Sequence, residues 1–145
     1  MDAFSEIFQL MIQDHGRNPR NFGELTNADQ SAEGVNPLTG DTITVYLRLA
    51  DECLSEVTFS GKASALATTS ASVMTGVLKG LSVDEAQSQV EKTLDWIAGK
   101  DELQDESMPE DEFAVLLVIR HFPHRHKCAS LAWQTATAAL AKFNR

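Results

Sequence analysis

The chain has 145 residues, 43% hydrophobic and 23% charged, with eight Gly and four Pro, a globular composition that excludes disordered, collagenous and low-complexity classes. Twelve Lys and Arg stand against 21 Asp and Glu, a formal net charge of −9, so the basic footprint of a nucleic-acid binder is missing and no nucleic-acid partner is expected. The longest apolar run, Phe113 to Ile119, is far short of the ~18 residues that mark a membrane span, so no membrane partner is expected either.

A domain of this length buries roughly 68–70% of its unfolded surface, and residues 1–145 are expected to form a single domain with a proper core. Met1-Asp2-Ala3-Phe4-Ser5-Glu6 carries acids where a secretory signal carries positive charge, which points to the cytoplasm. Cys53 and Cys128 are too few for a disulfide framework and are expected to be thiols.

Phe4, Ile7, Phe8, Met11 and Ile12 recur at helical spacing and predict an amphipathic helix over residues 4–14. Gly16, Pro19, Gly23 and two Asn stop that helix, and residues 15–40, with no sustained period, read as ordered loop. Ile43, Val45, Leu47 and Leu49 then alternate with Thr42, Thr44, Tyr46 and Arg48, the period of a strand with one buried face. Asp51-Glu52 marks a turn. Cys53, Val57 and Phe59 share a parity on the return strand, so an antiparallel hairpin ending near Gly61 is expected, with Cys53 in the core.

Between Leu66 and Lys79, the stripe Ala67, Ala71, Met74 and Leu78 predicts a tightly packed helix, with Gly80 placed for a left-handed cap. Ser82-Val83-Asp84-Glu85 matches a capping box, and Ala86, Val90, Leu94 and Ile97 carry the next helix to Gly99. Residues 101–112 hold much of the negative charge and read as a solvated loop leading to a helix start. Phe113 to Ile119 fits a helix or a buried strand by pattern alone. Pro109 followed by three acids suits a first helical turn and favours the helix. Ala129, Trp133, Ala136, Leu140 and Phe143 predict a terminal helix starting near Cys128. The element order gives the α+β class, a small antiparallel sheet packed against several helices.

Three clusters are candidates for chemistry: the turn Asn36-Pro37-Leu38-Thr39-Gly40-Asp41, the segment Gly61-Lys62-Ala63-Ser64, and His121-Phe122-Pro123-His124-Arg125-His126-Lys127-Cys128. The last holds three of the four His and a Cys, but its spacing matches no standard zinc pattern. Cys128 at a helix start beside Arg125 and Lys127 has surroundings that favour a thiolate, the form required of a nucleophile or metal ligand; a buried structural thiol fits the same position. Ser-His-Asp order, a phosphate-cradling Gly-rich loop, a dinucleotide fingerprint and HExxH are all missing, so no enzymatic activity of its own is expected.

Four blocks in order resemble the SufU/IscU/NifU-N family of iron-sulfur cluster assembly proteins: Asp14-His15-Gly16-Arg17-Asn18-Pro19-Arg20-Asn21; Gly34-Val35-Asn36-Pro37-Leu38-Thr39-Gly40-Asp41; Phe59-Ser60-Gly61-Lys62-Ala63-Ser64-Ala65 with Ser70-Ala71-Ser72-Val73-Met74-Thr75; and Pro123-His124-Arg125-His126-Lys127-Cys128-Ala129-Ser130-Leu131-Ala132-Trp133. The acidic stretch before the fourth block, and Arg125-His126-Lys127-Cys128 in place of a His-Cys pair, resemble the SufU branch more than IscU. The resemblance implies a SufE/NifU-like sandwich. In it, cysteines from three loops meet an Asp at one end of the sheet to hold zinc (SufU) or a nascent iron-sulfur cluster (IscU).

Carried over onto this sequence, the family's first Cys falls on Thr39, its Asp on Asp41, its second Cys on Ser64 and its third on Cys128; Ala63 replaces a Gly before the second. Thiolate is a soft anionic ligand, whereas Ser and Thr hydroxyls stay protonated and neutral. A four-ligand structural zinc is worth ~10–16 kcal/mol in zinc-finger peptides, so losing two charged ligands weakens binding by many powers of ten. No metal or cluster cofactor is therefore expected: only Asp41 and Cys128 ligate well, with His124 and His126 as substitutes in a weaker site. The resemblance implies a cysteine desulfurase or another iron-sulfur assembly protein as partner, with the segment around Arg17, Asn18, Arg20 and Asn21 near the partner-facing surface; a plain polar loop closed by Pro and Gly fits the same residues. Cys128 is the candidate sulfur acceptor. The expected function is an iron-sulfur cluster assembly protein with a degenerate site, acting as accessory, regulator or single-thiol sulfur relay. The alternative is an interaction module that has kept the fold but neither metal nor sulfur transfer.

Overall fold

Alternation along Asp41–Ala50 is realised as a strand whose Ile43, Val45 and Leu47 are buried while Thr42, Thr44 and Tyr46 are half-buried on the opposite face. The computed structural model describes residues 3–98 and 126–143. In chain order these form α1 (Ala3–Arg17), β1 (Gln30–Asn36), β2 (Asp41–Ala50), β3 (Cys53–Lys62), α2 (Ala65–Leu78), α3 (Val83–Ile97) and α4 (His126–Ala141). The three strands make one antiparallel sheet in the order β1-β2-β3. Helices α2 and α4 pack on its apolar face, with α1 against α2 and α3 against α4. The α+β class expected from the sequence is the class observed.

The β2–β3 hairpin turns through Asp51 and Glu52 at φ 53° and 68°, the left-handed pair that a tight antiparallel connection requires. The register slips here: Arg48 faces Glu56 but Leu49 faces Leu54, so Ser55 is one residue too many on β3. Such a bulge inverts the parity of what precedes it. Leu54 therefore points inward with Val57 and Phe59, and Cys53 is half-buried. The expectation that Cys53 packs in the core is corrected accordingly.

A second correction concerns residues 15–40, read as loop. Strand β1 lies within them, paired from Gln30↔Leu47 to Asn36↔Asp41. Its only apolar residues are Ala32 and Val35, so its strand character comes from pairing with β2 rather than from its own pattern. Helix α1 also runs past residue 14 to Arg17, ending before Pro19, because His15 is buried and hydrogen-bonded to α2. Of the α1 stripe, Ile12 packs against the core; the side chains of Phe4, Ile7, Phe8 and Met11 lie outside those described.

The remaining helices follow their sequence signals closely. Ala67, Ala71, Met74 and Leu78 of α2 are fully buried, and Gly80 takes φ 93° just past its end. Ser82 and Glu85 form the reciprocal capping box, at 3.1 and 3.0 Å. Ala86, Val90 and Ile97 are buried on α3, and Ala129, Trp133, Ala136 and Leu140 on α4, which starts two residues before Cys128. Gly99, the acidic stretch 101–112 with Pro109, the run Phe113 to Ile119 and residues 121–125 lie outside the described residues. No described helix is long and apolar enough to cross a membrane.

Candidate functional site

The turn between β1 and β2 is built by Asn36, which is buried at its base. Its backbone carbonyl accepts the Gly40 N–H at 2.7 Å and its side-chain oxygen accepts the Leu38 N–H at 3.1 Å. Gly40, at φ 81°, lets the chain re-enter the sheet. Asp41, the first residue of β2, is 7% exposed and donates its N–H to Thr39 Oγ1 at 3.2 Å.

The same Asp41 reaches across to the β3–α2 junction, where its Oδ1 accepts the Ser64 N–H at 3.1 Å. Ser64 is the N-cap of α2, and its Oγ accepts the Ala67 N–H at 3.2 Å. A carboxylate here also lies at the positive end of the α2 dipole. Asp41 Oδ2 is buried and has no hydrogen-bond partner among the described residues. Thr39 and Ser64 are both exposed above it. The structure thus brings three of the four family positions, Thr39, Asp41 and Ser64, into one hydrogen-bonded chain.

Cys128 enters on α4. Lys142 Nζ donates to the Ser31 carbonyl near the start of β1, and a Cβ on Gly34 would run into Thr135 Oγ1. Three strand residues, about 10 Å, therefore match seven helix residues, about 10.5 Å, with the two elements running in opposite directions. Seven helix residues separate Thr135 from Cys128, and β1 ends at Asn36, two residues after Gly34. The α4 start is fixed by Ser70 of α2, whose hydroxyl donates to the Ala129 carbonyl and accepts the Trp133 Nε1–H at 2.9 Å. The Cys128 thiol is half-buried, as is His126; His124 lies outside the described residues.

The donor chemistry can be compared with what a zinc ion or iron-sulfur cluster demands. Two of the four positions offer neutral hydroxyls whose oxygens already accept internal N–H groups, one offers a carboxylate with a single free oxygen, and one offers a thiol. Soft ions select thiolates, so these residues do not fit the group that the family resemblance implies.

A second polar cluster joins the first and third of the quoted blocks. His15 Nδ1 lies 2.7 Å from Ser72 Oγ, which also accepts the Arg20 N–H at 2.8 Å, and Asn21 Nδ2 donates to Thr75 Oγ1 at 3.0 Å. Ser72 and Thr75 are one turn apart on α2 and together hold the segment after α1. The available signal was the spacing of His15, three residues after Ile12 on the apolar stripe. At the surface, Arg20 Nη2 bonds Asp14 Oδ2 at 2.7 Å, and that bond, with the guanidinium charge, holds the Asp14 carboxyl below its ordinary value.

Comparison with known proteins agrees with this architecture. The chain is 32% identical over 136 residues to the zinc-dependent sulfurtransferase SufU of Bacillus subtilis, covering 94% of this chain and 90% of that protein. It is 30% identical over 147 residues to the iron-sulfur cluster assembly scaffold protein IscU of Thermotoga maritima, covering 99% of each. A crystal structure described as a putative iron-sulfur cluster assembly scaffold protein for the SUF system from Fervidobacterium islandicum superposes with a TM-score of 0.80 at 27% identity, covering 93% of this chain and 97% of that one. Residues 7–145 match the model of the NifU-like N terminal domain, and the chain belongs to that family.

Proposed function

We propose that the protein serves iron-sulfur cluster assembly as a cytoplasmic accessory to a cysteine desulfurase, with Cys128 as its one sulfur acceptor. Support for the pathway comes from relatives named as a SufU sulfurtransferase and IscU scaffolds over nearly the whole chain. The observation that carries the specific role is that Thr39 and Ser64 present hydroxyls spent on internal hydrogen bonds, whereas Cys128, near the start of α4, retains a half-buried free thiol. A hydroxyl cannot carry sulfane sulfur.

In the transfer, the Cys128 thiolate attacks the terminal sulfur of the desulfurase cysteine persulfide. A new S–S bond forms on Cys128, the old S–S bond breaks, and the desulfurase cysteine leaves as thiolate; the terminal sulfur keeps its proton, and no oxidant or reductant is consumed. The chain contributes the acceptor and the surface that orients it, and no step passes through a metal.

The test is to incubate the protein with a cysteine desulfurase and cysteine and to look by mass for one added sulfur on Cys128, with Cys128→Ser as control. Labelling supports the relay. An unlabelled protein that still alters desulfurase turnover restricts the role to a regulator. Neither result leaves the second reading, a protein-interaction module, which is favoured by Val35 and Leu38, 55% and 75% exposed beside the turn.

A further inference from the structure

We infer that Thr39, Asp41 and Ser64 form a metal-free clasp: hydrogen bonds close the end of the sheet where an ion would otherwise cross-link it, and a soft cation binds there only when thiols are restored at 39 and 64. This rests on the reading of those two positions as former thiolate positions.

The clasp joins segments 23 residues apart through one carboxylate. Asp41 N donates to Thr39 Oγ1 at 3.2 Å, Ser64 N donates to Asp41 Oδ1 at 3.1 Å, and Ala67 N donates to Ser64 Oγ at 3.2 Å. The N–H groups of Thr39, Asp41 and Ser64 each have an oxygen acceptor from the protein itself, the Asn36 carbonyl for Thr39, so closure requires no added ligand.

The independent observation is the oxygen the clasp does not use. Asp41 is 7% exposed, yet its Oδ2 is buried without a partner among the described residues. Such an atom needs an explanation. A carboxylate that formerly gave one oxygen to the fold and one to a cation is left in this state when the other ligands are lost. Cys128, half-buried near the start of α4, is the second remnant, since it alone of the three cysteine positions still carries sulfur. One hard oxygen and one thiol do not hold zinc; adding two thiolates completes a four-donor set.

The test is zinc competition against a chromogenic chelator for the native protein, Thr39→Cys/Ser64→Cys, and that double variant carrying Cys128→Ser. The native protein is expected to leave zinc on the chelator. The double variant should withdraw one equivalent at least about a thousandfold more tightly, and Cys128→Ser should undo most of that gain. Thermal unfolding of the native protein should have the same midpoint with and without a strong chelator, a measurement that stands even if the double variant fails to fold. Zinc uptake by the native protein equal to the double variant's, a midpoint lowered by chelation, or a folded double variant with no gain in affinity would each overturn the clasp. Sulfur loading of Cys128 is read without zinc, so a failed clasp and a failed relay give different results.

Discussion

His15 Nδ1 and Ser72 Oγ meet at 2.7 Å in the interior, 57 residues apart in sequence. The Ser72 hydroxyl also accepts the Arg20 N–H at 2.8 Å, which leaves its own proton free to reach the His15 ring. When Ser72 donates, Nδ1 accepts and the neutral imidazole carries its proton on Nε2. Nitrogen-correlated NMR at neutral pH should report that tautomer. Ser72→Ala strips a partner from both donor and acceptor, and should destabilise by about 1–3 kcal/mol in urea while sharply accelerating hydrogen exchange at the Arg20 amide.

Asp14 and Arg20 give a prediction in pH rather than in stability. Because the hydrogen bond from Arg20 holds the Asp14 carboxyl below its usual value, the folded protein gains from the ionised form above the unfolded-state value of about 3.9. That gain disappears as pH falls through the lowered folded value. Arg20→Ala should return the Asp14 titration, followed by its carboxyl carbon shift, upward to the ordinary range. The pair is solvent-exposed, so the melting temperature at neutral pH should barely change.

Gly34 sits on β1 beneath α4, where a Cβ would run into Thr135 Oγ1 and lie 3.3 Å from Leu131 Cδ1. Thr135 cannot turn aside without losing its 2.8 Å bond to the Leu131 carbonyl in a buried position. Gly34→Ala should cost about 1–3 kcal/mol. Adding Thr135→Ala should recover most of the loss, and a double-mutant cycle by chemical denaturation would show the coupling.

Ser70 both donates to the Ala129 carbonyl and accepts from the Trp133 indole, in a part of the core fully shielded from water. Ser70→Ala should lower stability by about 1–3 kcal/mol, and the Trp133 indole N–H resonance should shift. Ser70→Thr keeps the hydroxyl and should retain the indole shift even where the extra methyl costs stability.

The helices were legible because their signals are local: a capping serine followed by Glu85, small residues at helical spacing on α2, and an Ala-Trp-Ala-Leu stripe on α4. Strand β1 was not, since Gln30–Asn36 contains little that favours a strand until β2 supplies hydrogen bonds along one side. Cys53 was misplaced for a related reason: an extra residue at Ser55 changes parity without leaving a mark in composition. At the candidate site, the quoted motifs named Thr39, Asp41, Ser64 and Cys128, but only the folded chain reveals that Asp41 ties the first and third together and keeps one oxygen in reserve. His15 was hidden because a histidine ahead of Gly and Pro reads as the end of a helix, whereas its partner sits on a distant one.

Since α4 lies antiparallel along β1, its length works as a gauge: seven residues of helix set how far the Cys128 sulfur stands from the Thr135 contact. One residue inserted between Thr135 and Cys128 would swing the thiol by about 100° around the helix axis and advance it about 1.5 Å. Chemistry at this end of the molecule is thus dimensioned by a segment that takes no part in it.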